Sequence, residues 1–209
     1  MPFLDREDAG LRAPTRVTPL PTHPATHLFV HHGASGVSDS LRDRDGDGAP
    51  DGEESVWRAY QAYHMDTKGW SDIAYSFGFG KSGWRYEGRG WGRQGGATGS
   101  PEDRYSYSYC AIGNFQTMEV PDEMIQAMIR QTKNGIRKGF FVPADELIIM
   151  GHKDRPASTS CPGSNLYARL DEIREGILEE EPEPVLPPIT LEMRVANLER
   201  AVFGAGRTD

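Results

Sequence analysis

The sequence predicts an α/β domain of the α+β type, in which a mixed central β-sheet is flanked by helices. Short β-prone apolar runs alternate along the chain with segments whose apolar residues recur at helical spacing. The length of 209 residues is enough for a single core of about 100–200 residues but not for several. With 37% hydrophobic and 26% charged residues, the composition is typical of a folded protein rather than a disordered one.

The strand predictions depend on alternation and on the residues that end each run. The run His27–His31 is β-prone and stops at Gly33, which is typical of a buried strand. Residues 73–79 alternate around aromatic side chains, and the polar segment 81–83 separates them from 84–87, which indicates a hairpin. The further predicted strands are 107–115 and 147–150.

Three helices are predicted between and after these strands. The first begins near Glu53, because apolar residues recur from there at spacings of four and three, and it ends before Gly69. Pro121 opens the second helix at the favoured first-turn position, and this helix ends before Gly139. The third helix is predicted over about 164–178.

The composition changes along the chain and divides it into four segments. Residues 1–25 are predicted to be an extended arm packed on the domain, and residues 26–178 are the domain itself. An acidic, proline-broken linker follows over 179–188. A short helix is predicted over 189–209, and its apolar side chains are a candidate surface for self-association. These side chains are Leu191, Val195, Leu198 and Val202.

Net charge, hydropathy and cysteine content argue against several classes of protein and partner. The net charge of −8 disfavours nucleic acid and anionic membranes as partners. No apolar run reaches the length of a membrane span, and the first ten residues lack a signal-peptide core, so we expect synthesis in a cytoplasm. Two cysteines, Cys110 and Cys161, are too few for a disulfide-based scaffold, and the sequence leaves open whether they pair.

The polar loop 152–163 carries one imidazole and one thiol directly after a predicted buried strand. His152 and Cys161 are both good zinc ligands, although a loop histidine is often surface and a cysteine is often a small buried hydrophobe. A third ligand would come from His31 or His32, at the end of the other buried strand. Adjacent strand residues point to opposite faces, so at most one of these two histidines would face the metal.

Five segments, in unbroken order over about residues 4–175, resemble the zinc N-acetylmuramoyl-L-alanine amidases and peptidoglycan recognition proteins. They are 29–34, 63–75, 86–91, 111–115 and 152–161. The resemblance implies a mixed sheet with helices, a zinc site formed by His31, His152 and Cys161, and catalytic roles for Tyr75 and Thr159. The spacing from His152 to Cys161 is one residue longer than the family's, and segment 95–98 lacks the histidine that many relatives carry there.

The implied activity is hydrolysis of the amide bond between N-acetylmuramic acid and L-alanine by zinc-activated water. Tyr75 would orient the water or the oxyanion, and Thr159 would help to hold the oxyanion. Recognition-only members typically lack the cysteine, so Cys161 favours an enzyme. The alternatives are a module that binds peptidoglycan without cleaving it and a calcium-regulated interaction protein. Without a signal peptide, a phage endolysin released through a holin pore is expected, and a bacterial recycling enzyme is the other option.

A second metal site is predicted from the residues alone. Residues 43–54 fit the calcium loop D-x-D-x-D-G with a glutamate at the twelfth place, and the helix that should follow is present. The helix that should precede it is not, because 33–40 resembles a loop. The alternative is a solvated acidic turn, but five carboxylates without a cation would repel one another. The predicted ligands are Asp43, Asp45, Asp47, Asp51 and Glu54.

Overall fold

The computed structural model describes residues 2–36, 42–156 and 158–179. These residues contain six strands and four α-helices. The strands are β1 (Phe3–Leu4), β2 (His27–His32), β3 (Phe77–Phe79), β4 (Arg85–Glu87), β5 (Ser106–Ala111) and β6 (Ile148–Gly151). They form one sheet in the order β1-β4-β3-β5-β2-β6. The β3–β4 pair is antiparallel and the other neighbouring pairs are parallel, so the prediction of a mixed sheet is confirmed.

The helices lie in the order that the sequence predicts. They are α1 (Asp51–Ala62), which continues into a π-helical turn at Tyr63–Thr67, α2 (Asp122–Arg137), α3 (Ser164–Tyr167) and α4 (Leu170–Leu178). Short 3-10 turns occur at Glu102–Arg104 and His152–Asp154. None of the helices in the described part of the chain combines the length and the hydropathy of a transmembrane span.

The prediction of a single helix over 164–178 is wrong. The segment forms two helices, α3 and α4, because the chain leaves helical geometry at Arg169. This residue has φ −104° and ψ 7°. Its guanidinium group donates to the carbonyl of Val120 at 2.7 Å and lies 2.7 Å from an Asp122 carboxylate oxygen. These contacts join the break between α3 and α4 to the start of α2.

The strand predicted over 73–79 is also too long, because only 77–79 is regular. The carbonyl of Ser76 accepts from two amides, those of Gly88 and Gly90, and the carbonyl of Tyr75 accepts from Arg89. Two donors on one carbonyl do not fit a regular antiparallel ladder. Tyr75 therefore lies on an irregular segment just before β3.

The sheet separates two hydrophobic clusters. On one face, Leu28 and Val30 of β2 belong to the larger cluster, together with side chains from α2, α3 and α4. On the other face, Cys110 of β5 packs in the smaller cluster with Trp57 of α1. Because strand residues alternate between faces, His31 lies on the side of α1, next to Cys110 in the parallel register.

The α1 face depends on a close approach between Trp57 and β3. A Cβ atom at position 78 would lie 2.8 Å from the Trp57 ring, so glycine is required there. Glu53, on the same helix, accepts hydrogen bonds from the amide and hydroxyl of Ser82 and from the hydroxyl of Tyr86. These contacts join α1 to the β3–β4 hairpin.

The first 25 residues contribute an edge strand and turns to the domain. Within them β1 pairs with β4, and Leu4 and Ala9 are buried in the smaller cluster. Arg6 forms a 3.0 Å ion pair with the buried carboxylate of Asp72. The predicted linker beyond Glu179 and the predicted helix over 189–209 lie outside the described residues.

Candidate metal centre

Two neighbouring parallel strands bring the histidines together. Val30 of β2 pairs with Gly151 of β6, so the residues that follow, His31 and His152, emerge at the same edge of the sheet. Their ring centroids are 4.6 Å apart. His31 is buried and His152 is half-buried, which places the pair at the border between the core and the surface.

The loop after β6 brings the thiol to this pair. The amide of Lys153 donates to the carbonyl of Cys161 at 2.8 Å and so closes the loop. The Sγ atom of Cys161 lies 3.7 Å from Nδ1 of His31 and accepts from the amide of His32 at 3.4 Å. One donor atom each from His31, His152 and Cys161 lies within 4.8 Å of the other two.

The second histidine of the adjacent pair has a different partner. The Nδ1 atom of His32 accepts from the amide of Phe115 at 3.1 Å. Its ring is therefore held on the opposite face of β2, and its main chain contributes an amide to the Cys161 sulfur. The choice between His31 and His32 that strand alternation leaves open falls on His31.

The protonation states of the two histidines favour metal binding. Burial lowers the pKa of His31 well below its usual value, and positive charge on His152, His32 and Arg155 lowers it further. Burial also lowers the pKa of His152, with a further contribution from Arg155. Both rings are therefore neutral at pH 7 and offer lone pairs.

The thiol is different, because burial raises the pKa of Cys161 to about 11. The amide of His32 opposes this shift by donating to the sulfur. A thiol ligates a metal as the thiolate, so metal binding here would release a proton. Two imidazoles and one thiol form a three-ligand set of the kind found in catalytic zinc sites, and the residues fit that metal.

Thr98 is a further residue of the candidate site, and its role could not be predicted from the sequence. Its buried hydroxyl lies 3.2 Å from Nε2 of His31 and 3.2 Å from the hydroxyl of Ser108. The Asp103 carboxylate accepts from the amides of Thr98 and Gly99 and so holds this segment in place. Thr98 and His31 are 67 residues apart, and no local pattern connects a loop threonine to a distant histidine.

Tyr75 lies beside the metal-ligand set. Its ring centroid is 5.6 Å from that of His31 and 5.6 Å from that of His64, and it stacks on Trp57 at 6.1 Å. Burial raises the pKa of Tyr75 well above its usual value, and the Cys110 and Cys161 thiols raise it further. The hydroxyl therefore keeps its proton at neutral pH and is able to donate a hydrogen bond.

Thr159 lies in the loop that carries the thiol. Its hydroxyl accepts from the amide of Cys161 at 3.1 Å, and the residue is half-buried. The other cysteine, Cys110, is buried, and both thiols are free. Cys110 does not belong to the metal-ligand set found among the described residues.

The carboxylates of the predicted calcium loop form two overlapping groups. Asp45 and Asp47 lie with Glu54, and Asp45 also lies with Asp43 and Asp51; within each group one oxygen per residue is within 4.8 Å of the others. Asp43, Asp45 and Asp47 are exposed, whereas Glu54 is buried in the first turn of α1.

Comparisons with family models, known sequences and solved structures all point to the same group of proteins. The family model described as N-acetylmuramoyl-L-alanine amidase matches residues 21–164. Peptidoglycan-recognition protein LB of Drosophila melanogaster is 33% identical over 168 residues, which are 80% of this chain and 67% of that protein. An N-acetylmuramoyl-L-alanine amidase of Sus scrofa is 36% identical over 115 residues, 54% of this chain but 18% of that protein. The solved structure of wild-type Drosophila PGRP-LB superposes with a TM-score of 0.70 at 32% identity, covering 81% of this chain and 92% of that one.

Proposed function

Because the chain belongs to the N-acetylmuramoyl-L-alanine amidase family, we propose that it hydrolyses the amide bond between N-acetylmuramic acid and L-alanine in peptidoglycan. One observation carries the proposal: donor atoms of His31, His152 and Cys161 lie within 4.8 Å of one another. A protein that only recognises peptidoglycan has no chemical need for a thiol at this place, whereas a hydrolase uses three ligands and leaves one position open.

In this proposal His31, His152 and Cys161 hold a zinc ion. When bound there, zinc supplies the Lewis acidity that activates water and polarises the carbonyl under attack. The chain's own contribution is to fix the ligands. Thr98 holds the His31 ring through Nε2, which leaves Nδ1 directed toward the Cys161 sulfur.

We assign Tyr75 the role of hydrogen-bond donor to the reaction. Its hydroxyl stays protonated because burial raises its pKa, and its ring is fixed between His31, His64 and Trp57. A donor that is already oriented stabilises the negative charge that develops on the attacked carbonyl oxygen. Thr159 would assist from the loop, although its oxygen already accepts from the amide of Cys161.

The test is digestion of purified peptidoglycan, with new L-alanine amino termini identified by mass spectrometry. The zinc-loaded protein should generate these termini, and chelator treatment followed by zinc addition should abolish and restore the reaction. Cys161→Ser should remove both zinc and turnover, because a hydroxyl is a much poorer zinc ligand than a thiolate. Cys110→Ser is the matched control, since that thiol is also buried and should leave the zinc content unchanged.

Two outcomes would count against the proposal. Binding of peptidoglycan without release of L-alanine termini by the zinc-loaded protein would indicate a recognition module instead. Full activity of Cys161→Ser without bound metal would exclude the zinc mechanism.

A further inference from the structure

Glu54, in the first turn of α1, has a carboxylate oxygen without a partner. The residue is 2% exposed. Its Oε2 atom accepts from Arg58 at 3.2 Å, one helical turn away. Its Oε1 atom is buried and has no hydrogen-bond partner among the described residues. Such an oxygen has lost its hydration without gaining a hydrogen bond in return, so it calls for an explanation.

The neighbouring glutamate shows that this position is unusual. Glu53 is equally buried, but its two oxygens accept from the Ser82 amide, the Ser82 hydroxyl and the Tyr86 hydroxyl. The fold therefore provides a full set of donors for one glutamate of the pair and leaves an oxygen of the other unpaired. Burial raises the pKa of Glu54 to about 7 although Arg58 opposes the shift, and the Asp47 carboxylate raises it further.

The carboxylates around Glu54 face one another. Glu54, Asp45 and Asp47 each have an oxygen within 4.8 Å of the other two, and Asp45 connects this group to Asp43 and Asp51. The spacing places these five acids at positions 1, 3, 5, 9 and 12 of an EF-hand loop. Gly48 occupies the sixth place with φ +94°, in the left-handed region where that loop requires glycine.

We infer that loop 43–54 binds one Ca²⁺ ion, with Asp43, Asp45, Asp47 and Glu54 as ligands and Asp51 close by. These four ligands are all carboxylates, so the site offers oxygen donors alone. Such donors suit a hard cation with flexible coordination and do not suit zinc. The ion would give the unpaired Oε1 of Glu54 the partner that it lacks. This site is separate from the proposed zinc site, which uses nitrogen and sulfur donors.

The position of the loop indicates a structural role for the ion. Glu54 belongs to α1, the helix whose Trp57 packs under Tyr75 and against β3. Ala49 of the loop is buried, and Trp84 of the hairpin rests against Gly48. A cation held between the loop and the first turn of α1 would therefore fix the start of this helix.

Terbium luminescence tests the site directly, because Tb³⁺ replaces Ca²⁺ and an adjacent indole sensitises its emission. Trp84 is that indole, so excitation of tryptophan should produce terbium emission that added Ca²⁺ removes. Calorimetry with Ca²⁺ alone should give a Kd of about 10⁻⁵–10⁻³ M. Calcium should also raise the Tm of the full chain, since it binds the folded state.

Three variants test whether calcium binding depends on the carboxylates of this loop or on acidic residues in general. Asp45→Ala changes an exposed residue, so it should fold; it should lose the calcium-dependent gain in Tm and keep its zinc content. Glu54→Gln keeps the side-chain shape and should weaken calcium binding at least tenfold. Glu146→Gln, an exposed acid before β6, is the control and should behave like the parent. Absence of calcium binding by the parent at millimolar concentration, or an unchanged calcium response in Asp45→Ala, would show that the loop is only an acidic turn.

Discussion

The Thr98 hydroxyl determines which nitrogen of His31 faces the other donor atoms. Because Nε2 is 3.2 Å from this hydroxyl, Nδ1 is the atom directed at Cys161. Loss of such a hydrogen bond to a ligating histidine typically weakens metal affinity by about 10–100-fold. We therefore expect Thr98→Val to lower zinc affinity by this factor in competition with a chelator.

Thr98→Ser keeps the hydroxyl and provides the control for that experiment, so it should retain most of the parent's affinity. Equal zinc affinity in Thr98→Val and the parent would mean that Thr98 only packs against the histidine.

Tyr75→Phe tests the proposed donor, because it removes a hydroxyl and leaves the ring packing intact. We expect zinc content to stay unchanged while kcat falls by about 10²–10³-fold, the usual effect of losing one donor to an oxyanion. The measurement is the rate of L-alanine terminus release with saturating peptidoglycan fragments. A kcat equal to that of the parent would reduce Tyr75 to a core aromatic residue.

His64 makes the stability of the fold sensitive to acid. Burial lowers the pKa of His64 to about 4, and its Nδ1 atom accepts from the amide of Ala74 at 3.2 Å. The unfolded chain binds this proton near pH 6.5 and the folded chain near pH 4, so stability is fully present above about pH 6.5 and decreases as the pH falls toward 4.

The corresponding variant is His64→Gln, which retains an acceptor for the Ala74 amide but does not titrate. We expect its free energy of unfolding, from urea titrations, to decrease less between pH 6.5 and pH 4 than that of the parent. The other histidines are common to both proteins and cancel in the difference. Parallel pH profiles would assign the acid sensitivity to other titratable groups, such as the remaining histidines and Glu54.

At the scale of elements, Trp57 connects α1 to β3 and to Tyr75. The side chain is fully buried between Gly78 and Tyr75. Trp57→Ala should lower the free energy of unfolding by about 3–5 kcal/mol, as for other large core aromatics. Tyr63→Ala, half-exposed at the end of the same helix, should change it by about 0.5 kcal/mol or less. If Trp57→Ala lost as little stability as we expect of Tyr63→Ala, the helix would tolerate a cavity at Trp57.

Local sequence predicted most elements, the helices from one-sided spacing and the central strands from short β-prone runs. The spacing of Met124 and Met128 in α2 shows the face that packs on the larger cluster, whereas β2 is buried on both faces and carries no such alternation. The break at Arg169 has no such signal, because it depends on a bond to Val120, which is distant in sequence. The early end of the regular structure before Phe77 depends in the same way on amides at 88 and 90.

The candidate site also combines residues that local sequence predicts with residues that it does not. Strand ends and ligand chemistry suffice to predict which histidines and which thiol to consider, since parallel strands end at one edge. Thr98 and the unpaired oxygen of Glu54 were not predictable, because both depend on contacts between segments whose separation in space the sequence does not reveal.

At the scale of the whole chain, the described core and the residues proposed for catalysis lie within 2–179. Helix α4 ends at Leu178, and the Glu179 carbonyl accepts from Lys133 at 2.8 Å. A chain cut after Glu181 keeps these contacts, so we expect its kcat on peptidoglycan to match that of the full chain. Loss of activity on truncation would mean that residues 182–209 take part in folding or substrate binding.

Sedimentation of the same two chains tests the predicted self-association through 189–209. We expect a concentration-dependent increase in mass for the full chain that the truncated chain lacks. Identical masses would refute pairing through this segment.

The parallel pairing of β2 with β5 and β6 has a kinetic consequence. His31 and Cys161 are 130 residues apart in sequence, and the strands that bring them together are joined by long crossovers. Contacts of this kind form late, because the entropy of closing large loops is lost before any pairing compensates for it. No local element of the chain holds all three donor atoms, so high metal affinity should emerge during refolding only when the slow search for topology is complete.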